Sequence, residues 1–181
     1  IAPSLGGSEM CIRDRAGVGG MAAGVICGIA KYFKRIPKII VIEPEEANCV
    51  MKSIKYGTLK KVNIKNQSIM GGMSCAEVSL VPWRILKNAV NNCVSVSDKY
   101  VPQTLTMLAK KKFSNKKIIA GECSTPGVIS VISCCNDPLV KKKLEINEES
   151  NILIIGCEGD TDKNLYNKLY KIGNQKLKKY D

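Results

Sequence analysis

Apolar and polar positions along this chain alternate between two patterns. One is a set of short, almost wholly apolar runs: residues 38–42, 94–96, 118–119 and 152–155. Residues 38–42 and 152–155 are the length of a strand and carry no polar alternation, as expected where a strand is covered on both faces, while 94–96 reads as a brief strand and 118–119 as a strand fragment. The other is longer apolar stretches with helical spacing or helix-edge signals. Residues 20–33 follow a glycine-rich turn, and Pro44 with Glu45 and Glu46 reads as a helix start that should end near Gly57. Pro82 opens a helix to about residue 91, and Asp98 caps one running to about 111. Residues 128–135 and 138–144 read as helices, and 163–172 as a closing helix with Asp162 before it as a cap. Residues 58–64 read as strand-like, followed by a glycine-bearing loop through Ser79. Helices interleaved with short apolar strands predict an α/β fold, a mostly parallel sheet flanked by helices.

Residues 1–15 fit neither apolar period. They hold two of the four arginines and none of the lysines. The stretch from Glu9 to Arg15 looks like a translated sequencing adapter, so residues 1–15 are expected to be an unstructured artefact. Residues 16–181 are then one domain, lacking the strand that should lead into the glycine turn. Positions such as Ile26, Ile29 and Ile39 would be left partly uncovered.

Composition changes the picture little. The 181 residues are 45% hydrophobic, enough for one sizeable core. A net charge of +12 raises nucleic-acid binding as a non-enzyme alternative. The lysines are scattered in twos and threes, however, and no recognition helix or stacking platform is present, so no nucleic-acid partner is expected. No apolar run approaches the ~20 residues that cross a bilayer, so no membrane partner is expected. Nine cysteines without metal-pair or framework spacing point to reduced, buried thiols in a cytoplasmic protein, Cys27, Cys134 and Cys135 among them.

The candidate chemistry starts at residues 16–24, where Gly17, Val18, Gly19 and Gly20 run into Met21 and a helix. Glycines let backbone N–H groups approach an anion, and a helix start leaves such groups without partners, so the turn suits a phosphate. A side chain at Gly19 would be expected to stand against that phosphate. Val18 is tolerable in such a turn if its φ is negative. Glu43 with a thiol six residues on, Cys49, makes a poor ligand set for a hard cation, and no metal is expected.

Taken in order, the glycine turn, the Glu43 and Pro44 exit, Met70 to Glu77, Trp83 to Asn88, the turn at Gly121, Glu122 and Cys123, and Glu158 to Asp162 resemble the diaminopropionate ammonia-lyases. These are pyridoxal-phosphate enzymes of the tryptophan-synthase-β-like fold, fold type II. The resemblance runs from Ala16 to about Gly173 and implies an incomplete large domain of that fold. It implies pyridoxal 5'-phosphate as cofactor, its phosphate held by Gly17, Val18, Gly19, Gly20 and Met21. It implies a thiol donor to the ring nitrogen at Cys157, because Gly156 replaces the hydroxyl residue of relatives. Glu122 is a further cofactor-proximal position, with helix capping as its other reading. The reaction implied is α,β-elimination of 2,3-diaminopropionate to pyruvate and ammonia by a homodimer. A serine or threonine dehydratase using the same glycine turn is the alternative. None of the lysines follows the family's Schiff-base motif. The chain therefore carries no expected catalytic residue and should be inert alone.

Overall fold

The computed structural model describes residues 10–15, as backbone, and 17–178. Four parallel strands form one sheet in the order β3-β2-β1-β4: β1 Met10–Arg15, β2 Lys38–Pro44, β3 Asn92–Val96 and β4 Asn151–Ile154. Among the described residues seven α-helices accompany it: α1 Gly20–Tyr32, α2 Cys49–Tyr56, α3 Leu80–Ala89, α4 Val101–Ala109, α5 Pro126–Cys135, α6 Pro138–Lys143 and α7 Lys163–Leu177.

The apolar run of β2 shows why the sheet is covered twice. Ile39 and Val41 enter one core with Ala22, Ile26 and Ile29 of α1, Val50 of α2, and Trp83 and Leu86 of α3. Ile40 and Ile42 enter the other with Val101 and Leu105 of α4, Ile129 of α5, and Tyr166 and Leu169 of α7. Period-two geometry splits a continuous apolar strand between two cores, and a strand buried on both faces needs no polar alternation. Ile26, Ile29 and Ile39 are all at least 94% buried, contrary to the expectation of an uncovered face.

Residues 10–15 depart furthest from the sequence reading. Instead of trailing without structure, Met10–Arg15 pair in parallel with β2 from Cys11 against Lys38 to Arg15 against Ile42, and with β4 on the other side. They form the strand that leads into the glycine turn. A ladder is built from backbone groups, so a segment without apolar periodicity can fill a slot bounded by two apolar strands. Residues 1–9 of the same expectation lie outside the described residues.

Other differences are local. Pro44 closes β2, Glu45–Ala47 make a single 3-10 turn, and α2 starts only at Cys49. Gly57 ends α2 with φ of 67°, as read from the sequence. Residues 58–64 are not a strand. They lie as an irregular loop held by Val62 N–H to Ala76 O (2.8 Å) and Lys60 N–H to Ser53 Oγ (2.9 Å). Residues 118–119 are likewise irregular. Asp98 caps no helix. Its carboxylate accepts from Ser68 Oγ (2.6 Å) and Ile69 N (2.7 Å), fastening the loop that carries Met70 to Glu77. Cys27 and Cys135 are exposed, because each falls on the outer side of its helix, whereas Cys49 and Cys123 are buried.

Candidate functional site

The chain leaves β1 through the glycine turn and α1 to reach β2 on one side. It later returns, through α4 to α6, to place β4 on the other side of β1. The strand order therefore reverses at β1, and in an open parallel sheet the crevice for a ligand opens beyond the carboxyl ends at that point. The turn at residues 17–19 and the segment following β4 flank this crevice.

The turn is built by glycine for conformational reasons at two positions. Gly17 has φ of 60° and Gly19 has φ of 90°. Among the described non-glycine residues only Lys111 and Glu145 have positive φ, so Val18 meets the condition set for it. Val18 O accepts from Ser79 N at 3.0 Å, which ties the turn to the start of α3. Gly19 is the N-cap of the 13-residue α1, and no side chain caps that end. A Cβ on Gly20 would meet nothing within 4 Å, leaving the approach to the first turn of α1 open. A Cβ on Gly19 would instead strike Leu86 Cδ1 at 2.8 Å and Pro82 Cβ at 3.1 Å. That position therefore faces α3 and not the crevice, which corrects the expectation that its side chain would stand against a phosphate.

Across the crevice, Cys157 is exposed and its Sγ lies 3.1 Å from Met21 Sδ. The structure thus brings together the two ends of the sequence-derived set, separated by 136 residues. Gly156 sits against Ser124, whose Cβ would be 3.3 Å from a Cβ added there, so a larger residue would crowd the turn. Glu122 opens the 3-10 turn Glu122–Ser124 just ahead of α5, and Thr125 Oγ1 donates to Glu122 O at 2.9 Å.

Several residues that complete the site are marked in the sequence only as parts of motifs, with no contact assigned to them. Glu158 Oε2 accepts from Cys123 N (2.9 Å), Ser124 Oγ donates to Glu158 O (2.7 Å), and Gly121 N donates to Glu158 O (3.0 Å). The segment after β4 is thereby laced onto the 121–125 turn. A Cβ on Gly121 would be 2.3 Å from Gly159 O, so the two backbones meet where only glycine fits. Gly72 lies between the two turns: its carbonyl oxygen would be 3.0 Å from a Cβ on Gly17, and its own added Cβ would be 3.5 Å from Cys123 Sγ. The density of small and hydroxyl residues at 121–127 and 71–76 was the available signal. Ligand atoms of Glu122, Cys123 and Glu158 lie within 4.8 Å of one another. Burial, with Glu158 beside it, pushes the Cys123 thiol up to about 12, so it remains protonated near neutrality. Beside these turns, a cavity of about 510 Å³ is lined by Leu108, Phe113, Ile118, Val128, Ile132 and Ile154, with Gly156 and Glu158 at its wall.

Behind the turn, Glu43 at the carboxyl end of β2 is buried. It accepts from Val50 N (2.8 Å) and Met51 N (2.7 Å), capping α2 across the 3-10 turn. Burial raises its carboxyl to about 7 against the opposing pull of those backbone bonds.

With the fold and crevice in hand, comparison with known proteins defines the class. Residues 14–158 match the model of the family described as pyridoxal-phosphate dependent enzyme, and the chain belongs to that family. Among characterised relatives it is similar to diaminopropionate ammonia-lyase of Escherichia coli K12, 29% identical over 159 residues that cover 86% of this chain. A probable D-serine dehydratase of Fusobacterium nucleatum is 27% identical over 122 residues, covering 64% of this chain and 27% of its own. The chain spans 40% of the length of the E. coli relative. Among solved structures, E. coli diaminopropionate ammonia-lyase in complex with D-serine superposes with a TM-score of 0.80 at 28% identity, covering 93% of this chain and 43% of that one. Maize serine racemase, at 18% identity and a TM-score of 0.67, shares the fold. The fold is thus the α/β architecture of the fold type II enzymes.

Proposed function

We propose that this chain supplies the phosphate cradle and one ring-facing side chain of a pyridoxal-phosphate lyase that eliminates ammonia from 2,3-diaminopropionate. The observation that carries the reading is the meeting of the glycine turn with Cys157 at the reversal of strand order, on a chain similar over most of its length to an ammonia-lyase.

The residues fit the cofactor. The first N–H groups of α1 have no side-chain cap, Gly20 leaves the approach open, and the helix dipole favours a dianion there. Gly17, Val18, Gly19, Gly20 and Met21 would hold the phosphate through backbone N–H groups. Cys157, across from Met21, would face the ring nitrogen as a neutral donor, which keeps that nitrogen unprotonated. When bound, the cofactor supplies the electron sink for a carbanion at the substrate Cα. Glu122 and Gly156 shape the wall beside it. Cα deprotonation and the cofactor-linking lysine belong to residues outside the matched motifs. The substrate is an amino acid, and the reading extends to a cytoplasmic homodimer without nucleic-acid partners, supported by the resemblance and the scattered lysines. No helix among the described residues is long and apolar enough to cross a membrane.

The ammonia-lyase reading is preferred to a serine or threonine dehydratase because its relatives cover more of the chain, and they do so at higher identity. The test is a chimera in which this chain replaces the matching part of the E. coli ammonia-lyase. It should release pyruvate from 2,3-diaminopropionate faster than from serine. Faster turnover of serine would move the assignment to the dehydratases.

A further inference from the structure

We propose that Glu43 is a positioning residue for the glycine turn, acting through the Cys49 thiol on the Gly17 carbonyl and so setting how the Val18 N–H is aimed at a bound anion. This rests on the reading of the turn as an anion cradle. Cys49 is wholly buried at the first position of α2, with its Sγ 3.7 Å from Glu43 Oε1 and 3.8 Å from Gly17 O. One S–H proton faces two acceptors and serves one of them at a time. An ionised Glu43 is the stronger acceptor and draws the thiol proton to itself. A protonated Glu43 leaves that proton to Gly17 O. The Gly17 carbonyl and the Val18 N–H belong to one planar peptide, so a bond gained behind the turn fixes the direction of the donor in front of it. Gly17, at φ of 60°, is a residue whose backbone can accommodate that adjustment.

The titratable groups that face Glu43 are the thiols of Cys49 on α2, Cys75 on the loop before α3, and Cys93 on β3. Burial first, then the nearby Glu43, raises all three, Cys49 and Cys93 to about 12. They stay protonated, and Glu43 is the group of this set whose charge changes near neutrality. Losing its proton both withdraws the thiol from Gly17 and places a buried negative charge behind the turn. The two effects act in the same direction, against an anion.

The test uses the full chain, isotopically labelled, with inorganic sulfate as probe because sulfate keeps its charge across the range examined. Without sulfate, the Val18 amide resonance should shift with an inflection near the Glu43 value of about 7. Sulfate affinity should fall by about threefold to tenfold as pH rises through it, the size of one neutral hydrogen bond. Glu43→Gln should flatten both profiles. Cys49→Ala should shrink the Val18 inflection to the smaller part that the Glu43 charge causes directly, and Cys49→Ser, which keeps a donor, should restore its full size. A Val18 resonance in the unsubstituted chain that stays flat from about pH 5.5 to 8.5, or an inflection that keeps its full size in Cys49→Ala, would overturn the relay. An intact inflection with no sulfate binding at any pH would refute the cradle reading while supporting the relay.

Discussion

At the scale of single residues, the glycines of the turn have different work. Gly19 is held by its conformation and by α3, so Gly19→Ala should destabilise the fold by about 1–3 kcal/mol, a strained φ added to overpacking against Leu86. Gly20 faces open space without positive φ, so Gly20→Asp should leave the unfolding midpoint nearly unchanged and weaken phosphate binding through like charge. Chemical denaturation and phosphate titration of both variants would separate the roles; a Gly20→Asp chain that binds phosphate undiminished would contradict the cradle. Glu43 adds a pH dependence whose sign follows from its raised carboxyl. The folded state holds that proton more tightly than the unfolded one. The stabilisation is therefore complete below about 4.5 and is lost as pH rises to about 7 and beyond. A difference of that size corresponds to about 3 kcal/mol. Stability of the unsubstituted chain relative to Glu43→Gln should accordingly fall between pH 5 and 8 in urea titrations. The glycine turn and Cys157 were legible in the sequence because backbone chemistry and motif order mark them. The side on which Gly19 packs was not, since it depends on α3 arriving some 60 residues later.

At the scale of elements, capping signals were read well where the cap is local and poorly where a side chain reaches across the fold. Asp162 accepts from Asn164 N (3.0 Å) and Leu165 N (2.9 Å) at the start of α7, as its position before an apolar-periodic stretch implied. Asp162→Ala should cost about 0.5–2 kcal/mol, seen as a lower denaturation midpoint. Asp98 and Glu43 also precede helices, yet Asp98 secures the 68–70 loop and Glu43 caps a helix that begins beyond an intervening turn. Residues 58–64 have strand-forming composition but find no strand to pair with, and β propensity expresses itself only against a partner. At Gly173 α7 packs tightly on α4, and an added Cβ would lie 2.0 Å from Pro102 O. Gly173→Ala should therefore destabilise by about 1–3 kcal/mol, despite the better helix propensity of alanine. An equal or raised thermal midpoint for Gly173→Ala would show that α7 shifts freely on α4.

At the scale of the whole molecule, the parallel sheet and its two helical layers follow from the unbroken apolar run of β2, and those features were legible from the chain. The central position of Met10–Arg15 was not, because its sequence carries no strand period and its place is defined by the backbone edges of β2 and β4. Joining the 121–125 turn to the segment after β4 likewise required the fold, since the Glu158 carboxylate and the Ser124 hydroxyl reach backbone groups more than 30 residues away in the chain. This convergence is proposed to make an anion cradle at the start of α1. The most direct measurement is a titration of the labelled chain with inorganic phosphate, read amide by amide. The largest saturable shifts should fall on Val18, Gly19, Gly20 and Met21, with smaller ones near Cys157. Shifts concentrated on the exposed lysines between residues 110 and 117, with the glycine turn unmoved, would contradict it.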